Sequence, residues 1–150
     1  MRLAISIGVC LVVGWLGSLV TRPALRDWYA ALSKPAWTPP SWVFAPVWTS
    51  LYLTMAVAAW LVWRRQPLAS VPMRLFLLQL LLNFAWTAVF FGFRAPGWAV
   101  MEIAVLWVAI LVAAISFAKT SALAAGLMAP YLLWVAYAGA LNFAIWRLNR

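Results

Sequence analysis

The sequence predicts an all-α integral membrane fold, a compact bundle of five transmembrane helices forming a single domain over residues 1–150. Two observations carry that expectation. First, 68% of the residues are hydrophobic and 9% charged, with a mean hydropathy of +0.98, which leaves too little polar surface to cover a water-soluble domain. Second, the charges punctuate the chain. None falls between Arg2 and Arg22, Lys34 and Arg64, Arg74 and Arg94, or Lys119 and Arg147, and the run from Ala95 to Ala118 holds only Glu102. Each run supplies the ~20 apolar residues needed to cross a bilayer core. Because the runs are continuous rather than alternating, they select helices over a β-barrel.

The helices are expected at about 3–21, 42–63, 73–93, 98–118 and 121–146. The first has a basic start, but its apolar stretch exceeds a signal-peptide core and no Ala-x-Ala-like site precedes Thr21, so it reads as a retained helix. No Arg/Ser-rich transit extension precedes it, and a bacterial cell membrane is the expected location. Ser6, Cys10, Gly14 and Ser18 form a ridge of small residues that suits close packing, within one protomer or between two. Residues 22–41 are the one connector long enough to have its own structure. Its Trp28, Tyr29 and Trp37 are poorly placed as free solvent-facing groups, so it is expected to fold over the bundle as a lid. Pro39 and Pro40 stiffen the approach to the second helix, Ser41 is its expected N-cap, and Pro46 should bend its first turns. The remaining connectors are short, which predicts antiparallel neighbours in sequence order. Pro130 should kink the last helix by freeing the Gly126 carbonyl, and Ala136, Ala140 and Ala144 form a second small-residue ridge.

The net charge of +9 does not indicate nucleic-acid binding. The basic residues stand singly or in pairs at the ends of apolar runs, where they anchor helices against anionic headgroups. Arg2, Arg64, Arg65, Arg74 and Lys119 fall on one side of the membrane and Arg22, Arg26, Lys34, Arg94, Arg147 and Arg150 on the other. Five against six gives only a slight preference for a cytoplasmic C-terminus. Catalytic chemistry has little to use. There is no His, a single Cys10 lies deep in an apolar run, the only carboxylates are Asp27 and Glu102, and no triad, metal cluster or carboxylate-pair motif is present. Glu102 lies about a turn into the fourth helix, where pairing with Arg94 or another basic residue is expected and a proton-coupling role is the alternative.

Polar residues inside a membrane are costly, so their positions are informative. Trp48, Tyr52, Ala56 and Trp60 share a face of the second helix; Gln79, Asn83, Trp86, Thr87 and Phe90 share one of the third; Tyr131, Trp134, Ala138, Asn142, Trp146 and Asn149 share one of the fifth. The three faces should converge in the bundle interior. The amides serve either as interhelical glue or as part of a ligand pocket, and the two roles can coexist. Flat indole faces in a stiff, proline-bounded frame suit a flat, apolar ligand.

At these residues the chain resembles a known family. Trp28-Tyr29-x-x-Leu32-x-Lys34-Pro35-x-Trp37-x-Pro39-Pro40-x-Trp42-Val43-Phe44-x-Pro46-x-Trp48-Thr49-x-Leu51-Tyr52 resembles the signature of the TspO/MBR family, the tryptophan-rich sensory proteins related to the mitochondrial translocator protein or peripheral-type benzodiazepine receptor. Asn83-x-x-Trp86-x-x-x-Phe90-Phe91-Gly92 and Pro130-Tyr131-x-x-Trp134 are similar to its later motifs, so the likeness covers the whole chain. The resemblance implies a five-helix bundle, often a homodimer, that binds porphyrins such as protoporphyrin IX, or heme, in a pocket under the first loop. It also implies a receptor, sensory or transport role. Carried over by position, the pocket is Tyr29, Trp37, Trp48, Tyr52, Asn83, Thr87, Phe90, Trp134, Ala138 and Asn142. No obligatory cofactor, metal or dedicated enzyme is implied. Light-dependent photo-oxidation of protoporphyrin IX, credited to pocket tryptophans in some members, would fall to Trp48 and Trp134. One departure concerns the family's sterol-recognition stretch. Phe143 stands where its tyrosine is expected, in Leu141-Asn142-Phe143-Ala144-Ile145-Trp146-Arg147, which argues against high-affinity sterol binding. The competing reading from the residues is a small proton-coupled exporter of lipophilic cations centred on Glu102.

Overall fold

The computed structural model describes residues 1–150 and is all-helical. Helix α1 spans Arg2–Arg26, α2 is a single turn at Trp28–Ala31, and a 3-10 turn at Ser41–Val43 leads into α3, Phe44–Trp63. Helix α4, Val71–Thr87, continues without a break as a π-helical segment, Ala88–Gly92; α5 is Pro96–Ala118 and α6 Ala122–Leu148. Five of these are long and apolar enough to span a membrane, and the chain is a multi-pass membrane protein. The bundle is a closed ring in the order α3, α1, α4, α5, α6, with α6 returning to α3.

That order departs from simple sequence adjacency: α3 and α4 are joined by a short connector, yet α1 sits between them. The reason lies in the small residues of α1. Ser6, Cys10 and Gly17 are buried within the protomer. A Cβ placed on Gly14 would stand 2.7 Å from the Tyr52 ring of α3, and one on Gly17 would stand 3.6 Å from Thr87 of α4. The N-terminal part of the ridge is therefore spent on packing inside one chain. Ala136 and Ala140 of the second ridge face outward instead.

Local differences from the sequence expectations have equally local causes. Helix α1 runs on to Arg26, with Pro23 accommodated in its last turns, so the connector is shorter than 22–41. Ser41 forms no capping hydrogen bond and belongs to the 3-10 turn. Pro46 thus falls in the first turn of α3, where its missing N–H leaves no helical bond unmade. At the start of α6, Ser121 does cap, its hydroxyl accepting from the Ala124 amide at 3.3 Å. The charge grouping holds across the bundle. Arg2 donates to the Trp63 carbonyl at 2.9 Å and Arg65 to the Thr120 carbonyl at 2.7 Å on one side; Ser33 and Asn149 bond each other on the opposite side.

Candidate functional site

The predicted faces do converge, and they meet as a continuous array of aromatic rings. Starting at the bundle centre, Trp48 lies 5.9 Å from Tyr52, 6.2 Å from Tyr131 and 6.4 Å from Trp86, measured between ring centroids. Trp86 stacks on Phe90 at 5.6 Å; Phe90 meets Trp28 at 5.5 Å and Tyr29 at 6.3 Å. From Tyr29 the array passes to Phe44 at 6.4 Å, to Trp134 at 6.3 Å, to Tyr137 at 5.4 Å and to Trp37 at 5.7 Å. Offset and edge-on contacts of this kind each contribute about 0.5–1.5 kcal/mol beyond area burial. The array links the lid to α3, α4 and α6.

Beneath it the amides act as crosslinks. Tyr52 donates its hydroxyl to Asn83 Oδ1, and Asn83 Nδ2 donates to the Tyr131 hydroxyl at 2.8 Å, which ties α3, α4 and α6 together. The Trp86 indole donates to Asn142 Oδ1 at 3.2 Å while Asn142 Nδ2 donates to the Pro96 carbonyl at 2.9 Å. Asn83 and Asn142 are therefore satisfied as interhelical bridges. Three other buried groups in the same region have no partner: the Tyr29 hydroxyl, the Trp134 indole N–H, and both ends of the Gln79 amide, one turn from Asn83. Ala138 is buried beside the array. Thr87 differs. Its hydroxyl donates to the Asn83 carbonyl at 3.2 Å and its methyl lies on Gly17, so it faces α1 rather than the rings.

The lid is braced internally by Lys34 and held to α6 by two latches. Lys34 Nζ donates to the carbonyls of Tyr29, Ala30 and Leu32 at 2.7, 3.2 and 2.9 Å and stands 5.0 Å over the Tyr29 ring, closing the C-terminal end of α2. Ser33 N–H donates to Asn149 Oδ1 at 3.0 Å, and Asn149 Nδ2 returns a bond to the Ser33 carbonyl at 2.8 Å. Tyr137 donates its hydroxyl to the Trp37 carbonyl at 2.9 Å. These fix Tyr29 in the interior, where burial and the neighbouring Tyr137 push its phenol up to about 12. Trp37 itself remains half-exposed at the rim.

Sequence reasoning omitted several members of the array. Phe44 is four residues before Trp48 and Tyr137 three after Trp134, so helical phase was a usable signal for both. Phe91 had none. The π-helical segment inserts an extra residue into the turn, and consecutive Phe90 and Phe91 both become buried, each contacting Tyr29.

Glu102 makes no hydrogen bond to this site. It lies six residues into α5, about 9 Å along a helix of roughly 34 Å, and lines a groove on the outer face of the bundle. Its expected pairing with Arg94 does not form, since both carboxylate oxygens are covered and without a partner. Arg94 instead occupies the turn before α5 in the left-handed region, φ 53°.

Comparison with known proteins agrees with this architecture. The TspO/MBR family matches residues 6–147. The tryptophan-rich protein TspO of Chlorobaculum tepidum is 41% identical, over 99% of this chain and 96% of its own length. The translocator protein of Sus scrofa is 38% identical over 97% of this chain and 90% of its own, and the protein CrtK of Rhodobacter capsulatus 32% identical over 97% and 91%.

Proposed function

The chain belongs to the TspO/MBR family, and from that premise we propose that it binds a tetrapyrrole, protoporphyrin IX or heme, among the aromatic rings under the lid, in a sensing or transport role. The observation that carries this reading is the ring array itself, closed by a latched lid and leaving the Tyr29 hydroxyl and Trp134 indole N–H buried without partners. Unmet donors in an apolar enclosure each cost about 1–3 kcal/mol, a cost that a ligand acceptor removes. A macrocycle with an apolar plane and polar edge groups offers both the face and the acceptors. Exposed Arg22, Arg26, Arg94 and Arg147 at the lid end suit the propionates. Rings already in contact at these distances leave no slot for a macrocycle, so entry requires the lid to lift. Photo-oxidation of bound protoporphyrin, at Trp48 and Trp134, is a side activity of the same site.

Titrating purified protein with protoporphyrin IX while following tryptophan emission, in darkness and then in light, tests this. Trp48→Ala and Trp134→Ala should each weaken binding at least about tenfold, because removing a central aromatic anchor costs roughly 2 kcal/mol. Trp107→Ala should change little, since the Trp107 indole donates to the Leu132 carbonyl away from the array. Trp48→Phe and Trp134→Phe should keep much of the affinity and lose the light-dependent change. Parent-like affinity in all three alanine variants would place the porphyrin elsewhere.

A further inference from the structure

All four tyrosines of the chain belong to the ring array, and three of their hydroxyls are engaged. Tyr52 donates to Asn83, Tyr131 accepts from Asn83, and Tyr137 donates to the Trp37 carbonyl. The Tyr29 hydroxyl is buried with no partner. It lies within electrostatic reach of the Tyr137 phenol of α6, so it is directed into the bundle rather than towards water. Its ring is clamped by Phe44, Phe90 and Phe91 at 6.4, 6.3 and 5.8 Å, and the Lys34 ammonium stands 5.0 Å over its face. The Tyr29 oxygen is the one lone-pair atom of the array left unbonded. Indole nitrogens have no pair to give, the Asn83 and Asn142 oxygens already accept, and the chain has no His.

Resting on the tetrapyrrole reading above, we propose that Tyr29 is the axial ligand for iron(III) heme, holding the iron through its phenolate oxygen and so separating ferric heme from metal-free porphyrin. Phenolate oxygen is a known class of heme ligand. The step is a ligand exchange without redox change. The iron–hydroxide bond of ferric heme in water gives way to an iron–phenolate bond, and the Tyr29 proton leaves on the hydroxide as water. Charge favours the product in an apolar enclosure. A ferric porphyrin core carries a single net positive charge, which the phenolate cancels, so the buried pair is neutral. The burial that pushes the free phenol up to about 12 penalises a bare phenolate, not one neutralised by iron. A ferrous core is neutral to begin with, and adding phenolate would leave a net negative charge in the same enclosure. Reduction therefore breaks the bond. Because Tyr29 is carried on the lid, the iron that it holds also pins the lid shut.

The test titrates purified protein in darkness with ferric heme, with heme kept ferrous by dithionite, and with protoporphyrin IX. Tyr29→Phe should weaken ferric heme binding at least about tenfold and leave ferrous heme and protoporphyrin IX within about threefold. Resonance Raman spectra of the ferric complex should show phenolate modes that shift with ring-deuterated tyrosine and vanish in Tyr29→Phe. A second variant, Tyr29→His, should recover ferric affinity with the spectrum of an imidazole complex. Retained protoporphyrin binding verifies that both variants are folded. Equal loss of heme and protoporphyrin in Tyr29→Phe assigns the hydroxyl to an edge group of the macrocycle and overturns iron ligation. Phenolate modes that persist in Tyr29→Phe, or ferric affinity that ignores it, overturn it as well. A parent protein that binds neither macrocycle refutes the tetrapyrrole reading itself, and the parent titrations alone reveal that outcome.

Discussion

Gly14 is where one hydrogen atom decides how closely two helices approach. A methyl there would meet the Tyr52 ring at 2.7 and 2.8 Å, and that ring is held by its bond to Asn83. Gly14→Ala should therefore destabilise the protein by about 1–3 kcal/mol, as overpacking does elsewhere, measured by thermal unfolding in detergent. Gly8→Ala, with open space around the new methyl, should instead be neutral or stabilising by up to about 1 kcal/mol, since alanine is the better helix former. Tyr29 adds a pH dependence. Its folded-state value is raised by burial from 10.0 to about 12, so the native state keeps a proton that the unfolded chain releases. The stabilisation is complete below pH 10 and is lost as the pH rises to about 12. Lid opening, followed by the ultraviolet absorbance of the phenolate, should fall in that window, and Tyr29→Phe should remove the transition.

At the scale of elements, the lid and the π-helical segment belong to one device. The extra residue in the π turn buries Phe90 and Phe91 together, and this pair is the floor on which Tyr29 rests. Above that floor the lid is kept shut by polar latches rather than by a large apolar area. Removing both latches to α6 in Tyr137→Phe with Asn149→Ala deletes three bonds worth about 1 kcal/mol apiece. Amide exchange over residues 28–38 should accelerate at least tenfold in that variant. In the parent the same amides should slow further when protoporphyrin is bound. Equal, rapid exchange with and without ligand would remove the idea of a lid.

For the molecule as a whole, the two polar features of the membrane interior contrast. The amides are crosslinked under the ring array, whereas the Glu102 carboxyl, towards one end of the bundle, is covered and has no hydrogen-bond partner. An exporter driven through Glu102 would need that carboxyl near mid-depth, and it lies only about 9 Å along a helix of roughly 34 Å. Glu102→Gln should accordingly leave protoporphyrin affinity within about threefold, under roughly 0.7 kcal/mol, in the same fluorescence titration. Loss of pH-dependent ligand movement in proteoliposomes would restore the exporter reading.

What the sequence determined by itself was whatever follows from local chemistry. Uncharged runs of membrane-crossing length define five helices because the cost of a bare charge or open backbone in lipid is large and position-specific. Helical phase brought Trp48, Tyr52, Asn83, Phe90, Trp134 and Asn142 to inward faces, because side-chain direction on a regular helix is fixed by spacing. Phase failed for Thr87, which points to α1, and at Phe91, where a π turn breaks the 3.6-residue count. Only the tertiary structure decided the rest. The insertion of α1 between α3 and α4 depends on which small residues meet which rings, and residue lists cannot order those contacts. The latches of Ser33 to Asn149 and Trp37 to Tyr137 join groups 116 and 100 residues apart. The unpaired state of Glu102 turns on the path of the backbone at Arg94, where a left-handed turn carries the next helix away while the guanidinium stays exposed. Such pairings are properties of packed surfaces, and local sequence carries no energy term for them.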